Sequence, residues 1–447
     1  MHAPTWTSLP AEMKYAVVGH LSVEDTASFS KTCREAYALS IPTLYREVKL
    51  HSYTSMQAFL HTVPPTHCHH VRTLTVDTTG AHSALAATTD LSNVLAQCSE
   101  IQDLDLRVAG SLRPTIIPHF RALRNLTRLS IRSCSVPNDP LLSERLVVSI
   151  AASIPNLVHL TLDGVCRSAI HARELVGAYP YAPVVIGDED VPEHPKLGDQ
   201  LSLPSLMLIP TLRELRIRNT HLGDRRWSVV TPLCKLDTLE VGSCSYESPA
   251  FNRACAERIV DAAGRSVQDL SLSAALSSDA CARLALSHLT KLRVTSLLPL
   301  EDLAQTLTAL SDSPVETLEL ECHEDDVEDQ CVELSDFLAS CQTTTIGSGD
   351  RRPIFPRLRR VSLESVEDIS DPTPVKSTIF ECSVEDASRT SAVDRWRECL
   401  DEFTPARCEE VESPTELRDF ASYLPPICRP VEPVMEQLMW TDMMEAW

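Results

Sequence analysis

A short apolar template that recurs along the chain restricts the fold more than any other feature. It reads apolar, two variable residues, apolar, one variable residue, apolar, and it occurs ten times, for example as "VRTLTV" from Val71 and "LVHLTL" from Leu157. Seven of the nine intervals between successive copies are 22 to 31 residues long. Since residues two apart share one face of a strand, each copy predicts a short strand with its last two apolar residues buried. The central apolar residues of the copies are Leu74, Leu104, Leu129, Leu160, Leu215, Leu239, Leu270, Leu292, Leu318 and Val361.

Helical patterns occupy several of the intervals, at 82–98, 139–154, 251–264 and 301–311. Strand and helix alternating at this period predict an α/β solenoid, in which each turn covers its apolar face only by stacking on its neighbours. The pattern over 68–365 resembles irregular leucine-rich repeats. That resemblance implies a horseshoe of about ten short parallel strands with helices on the outer side.

Three segments depart from the repeat. Residues 177–205 are rich in proline and lack a period, which predicts an inserted loop. Residues 301–350 hold fourteen Asp or Glu and no Lys or Arg, and the stretch 321–350 is expected to be an acidic loop, either solvated or a patch for a partner. The tail, 366–447, ends in an apolar stripe. It is expected to cap the last repeat, with partner binding or partial disorder as the alternatives.

The first forty residues have a different pattern. Pro10 suits the start of a helix, and apolar residues recur from Leu9 to Leu21 at spacings of three and four. Ser22 followed by Asp25 predicts the N-terminus of a second helix. A third short element is expected to end near "IPTLYREVKL". A unit of this size leaves apolar surface uncovered, which predicts a partner or a neighbouring domain against it.

Residues 8–50 resemble an F-box, through the Leu-Pro-x-Glu opening at residues 9–12, Asp25 and "FSKTCREAY". The resemblance implies a small all-helical domain, joined by a linker at 51–67 to the repeats. It also implies a Skp-type adaptor as partner, and through it the cullin scaffold of an SCF ubiquitin ligase. The residues that this resemblance assigns to adaptor binding are Leu9, Pro10, Met13, Val17, Leu21, Phe29, Cys33 and Tyr37.

Four arginines on two nearby strands are the candidate substrate-binding residues. Between and after the apolar positions, strand residues point to the exposed inner face of the solenoid. Arg128, Arg132, Arg216 and Arg218 fall there, and a basic patch would suit a phosphate or an acidic segment. The alternative is that these arginines pair with Glu214, Asp163 and Asp105 across the strands.

Composition excludes several classes of protein. A formal charge of −22 repels nucleic acid and anionic membranes, and no apolar run is long enough to span a bilayer. The 16 cysteines form no Cys-x-x-Cys pair, so we expect reduced thiols in the cytoplasm or nucleus, without a zinc site. The histidines of "HTVPPTHCHH" are expected to lie in an exposed loop, not to bind metal. No cofactor motif or catalytic motif is present.

Together these features predict a non-catalytic substrate-recognition subunit of an SCF-type ubiquitin ligase, which binds the adaptor through the F-box and a protein substrate, not identified by the sequence, through the repeats. Two alternatives remain. One is a repeat scaffold without a degradative role, whose N-terminal helices only cap the solenoid. The other is an enzyme with an unrecognised site, which would need a polar pocket with converging titratable groups.

Overall fold

The computed structural model describes residues 6, 9–134, 141–168, 170–171, 184–244, 247–277, 286–327, 329–334, 337, 355, 357–366 and 376–383. These residues form one twelve-stranded sheet in which the strands follow one another in chain order. The first eleven strands are parallel, and the twelfth pairs antiparallel with the eleventh. The strands are β1 Glu47–Leu50, β2 Thr73–Asp77, β3 Asp103–Val108, β4 Arg128–Ser133, β5 His159–Asp163, β6 Glu214–Arg218, β7 Thr238–Val241, β8 Asp269–Leu272, β9 Lys291–Val294, β10 Thr317–His323, β11 Arg360–Val366 and β12 Lys376–Ser383.

Ten α-helices are described with both of their ends, three before the sheet begins and seven between strands, and residues 329–334 are helical as well. They are α1 Ala11–Gly19, α2 Val23–Ser30, α3 Arg34–Leu44, α4 Tyr53–Thr62, α5 Pro65–Cys68, α6 Ala84–Gln97, α7 Ile117–Ala122, α8 Glu144–Ser153, α9 Pro249–Ala263 and α10 Leu300–Ala309. Short 3-10 turns cover Pro114–Ile116, Leu203–Leu208, Arg225–Ser228, Gly264–Ser266 and Glu324–Asp326. The four helical patterns predicted between strands correspond to α6, α8, α9 and α10.

The template predicted ten of the twelve strands, β2 to β11, and their register. The central residues of all ten copies are aligned with one another across the sheet, from Leu74 to Val361. All ten are at most 5% exposed. A second buried row runs beside it, from Leu50 in β1 to Leu363 in β11. One continuous apolar core therefore extends through every turn, so the predicted α/β architecture with a parallel sheet is confirmed.

The sheet begins earlier than the template indicates. Strand β1 lies inside the segment 8–50, and α4 lies inside the expected linker 51–67. Tyr53, Met56 and Phe59 of α4 are buried in the common core. The chain from Glu47 onward thus already forms the first turn of the solenoid. The template missed it because its first position, three residues before Val48, is occupied by the aromatic Tyr45, whereas the ten copies have Val, Ile or Leu there.

The insertion between β5 and β6 has no regular strand or long helix among its described residues, as predicted for a loop. It is nevertheless packed closely against the solenoid, because Asp188, Val191, His194 and Leu201 are all buried. Residues 172–183 lie outside the described part of the chain. The acidic stretch 321–350 begins inside β10 and continues as the 3-10 turn Glu324–Asp326, and most of its remainder is also outside the described residues.

At the other end of the sheet, β12 adds an antiparallel strand to β11. This strand lies within the tail that was expected to cap the repeats. The apolar stripe predicted near the end of the chain lies outside the described residues.

Candidate functional site

Helices α1, α2 and α3 pack on one another and have their own small interior. Its buried residues are few, and most of them are small: Lys14, Val18, Thr26, Ala36, Leu39 and Ser40. None of them belongs to the continuous core of the solenoid, which begins at Leu50. A single ion pair ties α1 to α3, with Lys14 Nζ 2.6 Å from Glu35 Oε1. The three helices therefore form a compact unit with little apolar burial of its own.

Local signals in the sequence account for the helix boundaries of this unit. Ser22 accepts a hydrogen bond from the backbone N–H of Asp25 and so caps α2, as predicted. Its hydroxyl also donates to the Asp25 carboxylate at 2.8 Å. Cys33 caps α3, because its sulfur accepts the N–H of Ala36. This side chain is exposed, but the cap gives it a structural role that the sequence analysis did not foresee.

Five large apolar side chains of the helical unit lie exposed. Across the described residues, thirteen large apolar side chains are exposed, and five of these fall within residues 13–37. Met13 and Val17, which are 53% and 43% exposed, are four residues apart and so share one face of α1. The others are Tyr15, Val23 and Tyr37. These five are more than a third of the thirteen, although the unit is only a small part of the described chain.

The eight predicted adaptor-binding residues divide into two groups. Pro10, Met13, Val17, Cys33 and Tyr37 are exposed, whereas Leu9, Leu21 and Phe29 are half-buried. Phe29 lies against Trp6, with ring centroids 5.3 Å apart in an edge-on arrangement. Tyr15 and Val23 are exposed apolar residues that the resemblance did not single out. Their exposure depends on helix packing, which a spacing pattern alone does not give.

The helical unit meets the solenoid through aromatic rings. Tyr45, the C-cap of α3, lies 5.2 Å from the ring of His67, and Tyr37 lies 6.2 Å from the same ring. His67 belongs to the short helix α5 and not to an exposed loop as predicted. The next residue, Cys68, is fully buried and anchors that helix.

Among the described residues, no group of three or more His, Cys, Asp or Glu side chains is arranged to hold a metal ion.

The sheet face opposite the buried rows is polar, and we call it the polar face. The four predicted arginines lie on it. Register places Arg132 of β4, Asp163 of β5 and Arg218 of β6 in one row across three adjacent strands. Arg107 of β3 extends this row by one strand, next to Arg132. The sequence analysis did not group Arg107 with the other arginines.

Each of the four arginines has a carboxylate neighbour, so the pairing alternative describes their arrangement. Arg128 Nε lies 2.8 Å from Asp103 Oδ2, and Arg132 Nε lies 3.9 Å from Asp163 Oδ2. Arg216 Nε lies 2.6 Å from Glu214 Oε1 on its own strand. Arg218 binds Glu240 with two nitrogens, one of them 2.9 Å from Oε2. Hydrogen bonding to Glu240 raises the pKa of Arg218 above its usual value.

The charges on this part of the polar face cancel. Over β2 to β6 the face carries five arginines, at 107, 128, 132, 216 and 218, and five carboxylates, at 77, 103, 105, 163 and 214. The expected basic patch is therefore balanced in charge, and four of its five arginines form ion pairs. The four arginine side chains remain 38% to 59% exposed, so a ligand can still reach them.

A second group of charged residues is buried and closed to ligands. Arg167 pairs with Asp224 and lies 3.7 Å from Glu144, and it donates to the carbonyl of His171. Glu144 in turn accepts the backbone N–H of Leu203 at 2.6 Å. The side chains of Glu144, Arg167 and Asp224 are each at most 7% exposed. This Arg167 cluster joins the start of α8 to the insertion and to the loop after β6, and its position gives no substrate access.

Asp188 of the insertion makes a related set of contacts. It pairs with the hydroxyl of Ser143, which also caps α8, and lies 3.2 Å from His171 Nε2 and 3.8 Å from Arg145 Nε. Burial raises the pKa of Asp188 and lowers that of His171. These contacts explain why a proline-rich insertion without a periodic pattern is held firmly on the solenoid.

Comparison with known proteins gives no identification. No protein-family model matches the chain, and a search of curated proteins found no significant match. The fold itself defines the class: an α/β protein built on one open, largely parallel sheet with helices between its strands, compatible with a solenoid of leucine-rich-repeat type. Within the described residues, no helix combines the length and the apolar character needed to cross a bilayer.

Proposed function

We propose that the protein is the substrate-recognition subunit of an SCF-type ubiquitin ligase, with an F-box at 8–50 and leucine-rich repeats after it. In this proposal α1–α3 bind a Skp-type adaptor, the adaptor connects to a cullin, and the solenoid holds a protein substrate. The protein performs no bond chemistry. It raises the effective concentration of the substrate beside the ubiquitin-charged enzyme.

The observation that carries the proposal is the set of exposed apolar side chains on α1–α3. Five such side chains lie within 25 residues, and four of them have no ring contact with the solenoid among the described residues, whereas Tyr37 also contacts His67. If these helices served only to cap the solenoid, their apolar side chains would be expected to face it, and their buried residues would join its core. Instead the interior of the unit is separate from the core of the solenoid, and Met13 and Val17 are exposed to solvent on one face of α1.

The test compares two double variants in co-purification with a Skp-type adaptor. Met13→Glu/Val17→Glu puts two carboxylates on the proposed interface, and both sites are exposed, so the fold should be kept. Val229→Glu/Leu233→Glu is the matched control, because those side chains are 77% and 64% exposed on the solenoid. Met13 and Val17 are each about half covered already, so burying the remainder of each side chain contributes about 1 kcal/mol to the free energy of binding. A carboxylate buried at the same place weakens binding by more than this amount.

We therefore expect the interface variant to bind the adaptor about a hundredfold more weakly than wild type. The control should bind like wild type. Absence of adaptor from the wild-type sample would reject the ubiquitin-ligase role and leave the scaffold alternative. Equal loss in both double variants would show that added charge, and not the α1 surface, is responsible.

The polar face is the proposed substrate surface. Its balanced charges favour a partner that also carries both signs, and such a partner would exchange ion pairs with residues such as Arg128 and Arg216. Charge reversal at these two arginines should weaken capture of substrates found by proximity labelling under proteasome inhibition. Lys49→Glu is the control, because Lys49 lies on the same face of β1 and has an exposed side chain. Unchanged capture by the arginine variant would remove this part of the face from the proposal.

A further inference from the structure

A cavity of about 400 Å³ lies at the edge of the sheet where helices lead into strands. The C-terminal ends of α7 and α8, the turns that precede β4 and β5, and residues 194–196 of the insertion surround it. Its polar lining consists of Arg121, Arg124, Lys196, His194, Ser153 and Asn156, and none of the lining residues is acidic. This is unusual on a chain with a formal charge of −22.

The three cations of the cavity are not used in ion pairs. Across the described residues, no carboxylate lies within 4 Å of the charged nitrogens of Arg121, Arg124 or Lys196, whereas most arginines on the polar face are paired. The ends of α7 and α8 contribute a partial negative charge of roughly half a unit each. Three positive charges against about one negative charge leave a net positive cavity.

Two buried side chains add hydrogen-bond donors. Ser153 is 8% exposed, and its hydroxyl has no hydrogen-bond partner among the described residues. His194 is 5% exposed, and its Nδ1 accepts the backbone N–H of Lys196 at 3.2 Å. Burial, together with the nearby charges of Lys196 and Arg121, lowers the pKa of His194 and so favours the neutral ring. With Nδ1 as the acceptor, the proton of the neutral ring is on Nε2, which is a donor.

Cations, a hydroxyl and an N–H donor around one space match a phosphate monoester, which carries close to two negative charges and three acceptor oxygens. The cavity has the size of sites that take whole ligands and not single ions. Its remaining lining, Ala152, Pro155 and Pro195, is apolar. We propose that this cavity binds a phosphorylated serine or threonine side chain together with the adjoining peptide of a partner protein. The site is separate from both surfaces assigned above and does not depend on the proposed function.

The experiment titrates the full-length protein with a degenerate phosphoserine peptide library and with its unphosphorylated counterpart, using inorganic phosphate as competitor. Three forms are compared: wild type, Arg121→Ala/Lys196→Ala, and the control Arg225→Ala/Arg265→Ala. Arg225 and Arg265 are exposed, have no carboxylate within 4 Å among the described residues, and give the same change in net charge. Ser153→Ala removes only the buried hydroxyl, and thermal melting checks that every variant is folded.

We expect wild type to bind the phosphorylated library only, and phosphate to compete. Loss of two charge-assisted contacts should weaken binding about a hundredfold in Arg121→Ala/Lys196→Ala, with several-fold weakening in Ser153→Ala and no change in the control. The proposal is overturned if both libraries bind equally, if the control weakens as much as the cavity variant, or if inorganic phosphate binds while the phosphorylated peptides do not.

Discussion

Replacing Glu144 by glutamine should change how the stability of the protein depends on pH. Burial raises the pKa of Glu144 from 4.5 to about 7, although Arg167 and the N–H of Leu203 act in the opposite direction. The folded state therefore holds a proton on Glu144 up to about pH 7, whereas the unfolded chain releases it near pH 4.5. Between these values the folded state binds more protons, so the free energy of unfolding falls as pH rises.

A pKa displacement of this size corresponds to about 3 kcal/mol. Glutamine keeps a carbonyl oxygen for the N–H of Leu203 but cannot ionise. The difference in the free energy of unfolding, Glu144→Gln minus wild type, should thus rise by about 3 kcal/mol from pH 4.5 to pH 7 and stay constant above it. Any fixed cost of placing an amide beside Arg167 shifts this difference equally at every pH.

Urea unfolding of both proteins at half-unit pH steps measures this difference. His171 and His221 also titrate differently in the folded state, because burial lowers their pKa values, in the case of His221 to about 4. Both proteins contain these histidines, so their contributions cancel in the difference. Two parallel pH profiles would refute the reasoning, since they would mean that the pKa of Glu144 is the same in the folded protein and in the unfolded chain.

Two further predictions concern the solenoid. Leu160 is fully enclosed in the buried row, so Leu160→Ala should lower the free energy of unfolding by about 2–5 kcal/mol. Leu233→Ala, at an exposed site, should change it by less than about 0.5 kcal/mol. Chemical denaturation measures both values, and equal effects would contradict the assigned register. Gly242→Ala places a Cβ 2.9 Å from backbone atoms of β6 and should cost about 1–3 kcal/mol. Gly19→Ala, with nothing within 4 Å of the added carbon, is its control and should be neutral or slightly stabilising by thermal melting.

The repeated part of the fold was predictable because one simple constraint acts on it many times. Every copy of the template must bury its alternating residues on the same side, so the spacing alone gave ten strands and their register. Strand β1 was not predicted because the first position of its copy is the aromatic Tyr45 and not Val, Ile or Leu, although Val48 and Leu50 have the same spacing as in the other copies. The antiparallel strand β12 was not predicted for a different reason. Its pairing with β11 follows from the position of the last repeat and not from a repeated pattern.

The candidate sites were only partly predictable. Residues that face the polar side follow from strand alternation, and this placed all four arginines correctly. Two of the expected partners, Asp163 and Glu214, pair with Arg132 and Arg216. The partners of Arg128 and Arg218, which are Asp103 and Glu240, were not predicted, because these pairs depend on side-chain reach across strands. The Arg167 cluster and the cavity at Arg121 and Lys196 bring together residues more than fifty positions apart. Both involve the insertion, which has no periodic sequence pattern, so neither could be predicted.

Hydrogen exchange of the full-length protein, with and without a purified Skp-type adaptor, shows which residues the adaptor covers. We expect the adaptor to slow exchange of the backbone amides within residues 11–44 and to leave exchange in the solenoid from Glu47 onward unchanged. Protection that is absent from 11–44, or that appears only on the strands and helices of the solenoid, would contradict the assignment of the exposed apolar side chains of α1–α3 to adaptor binding.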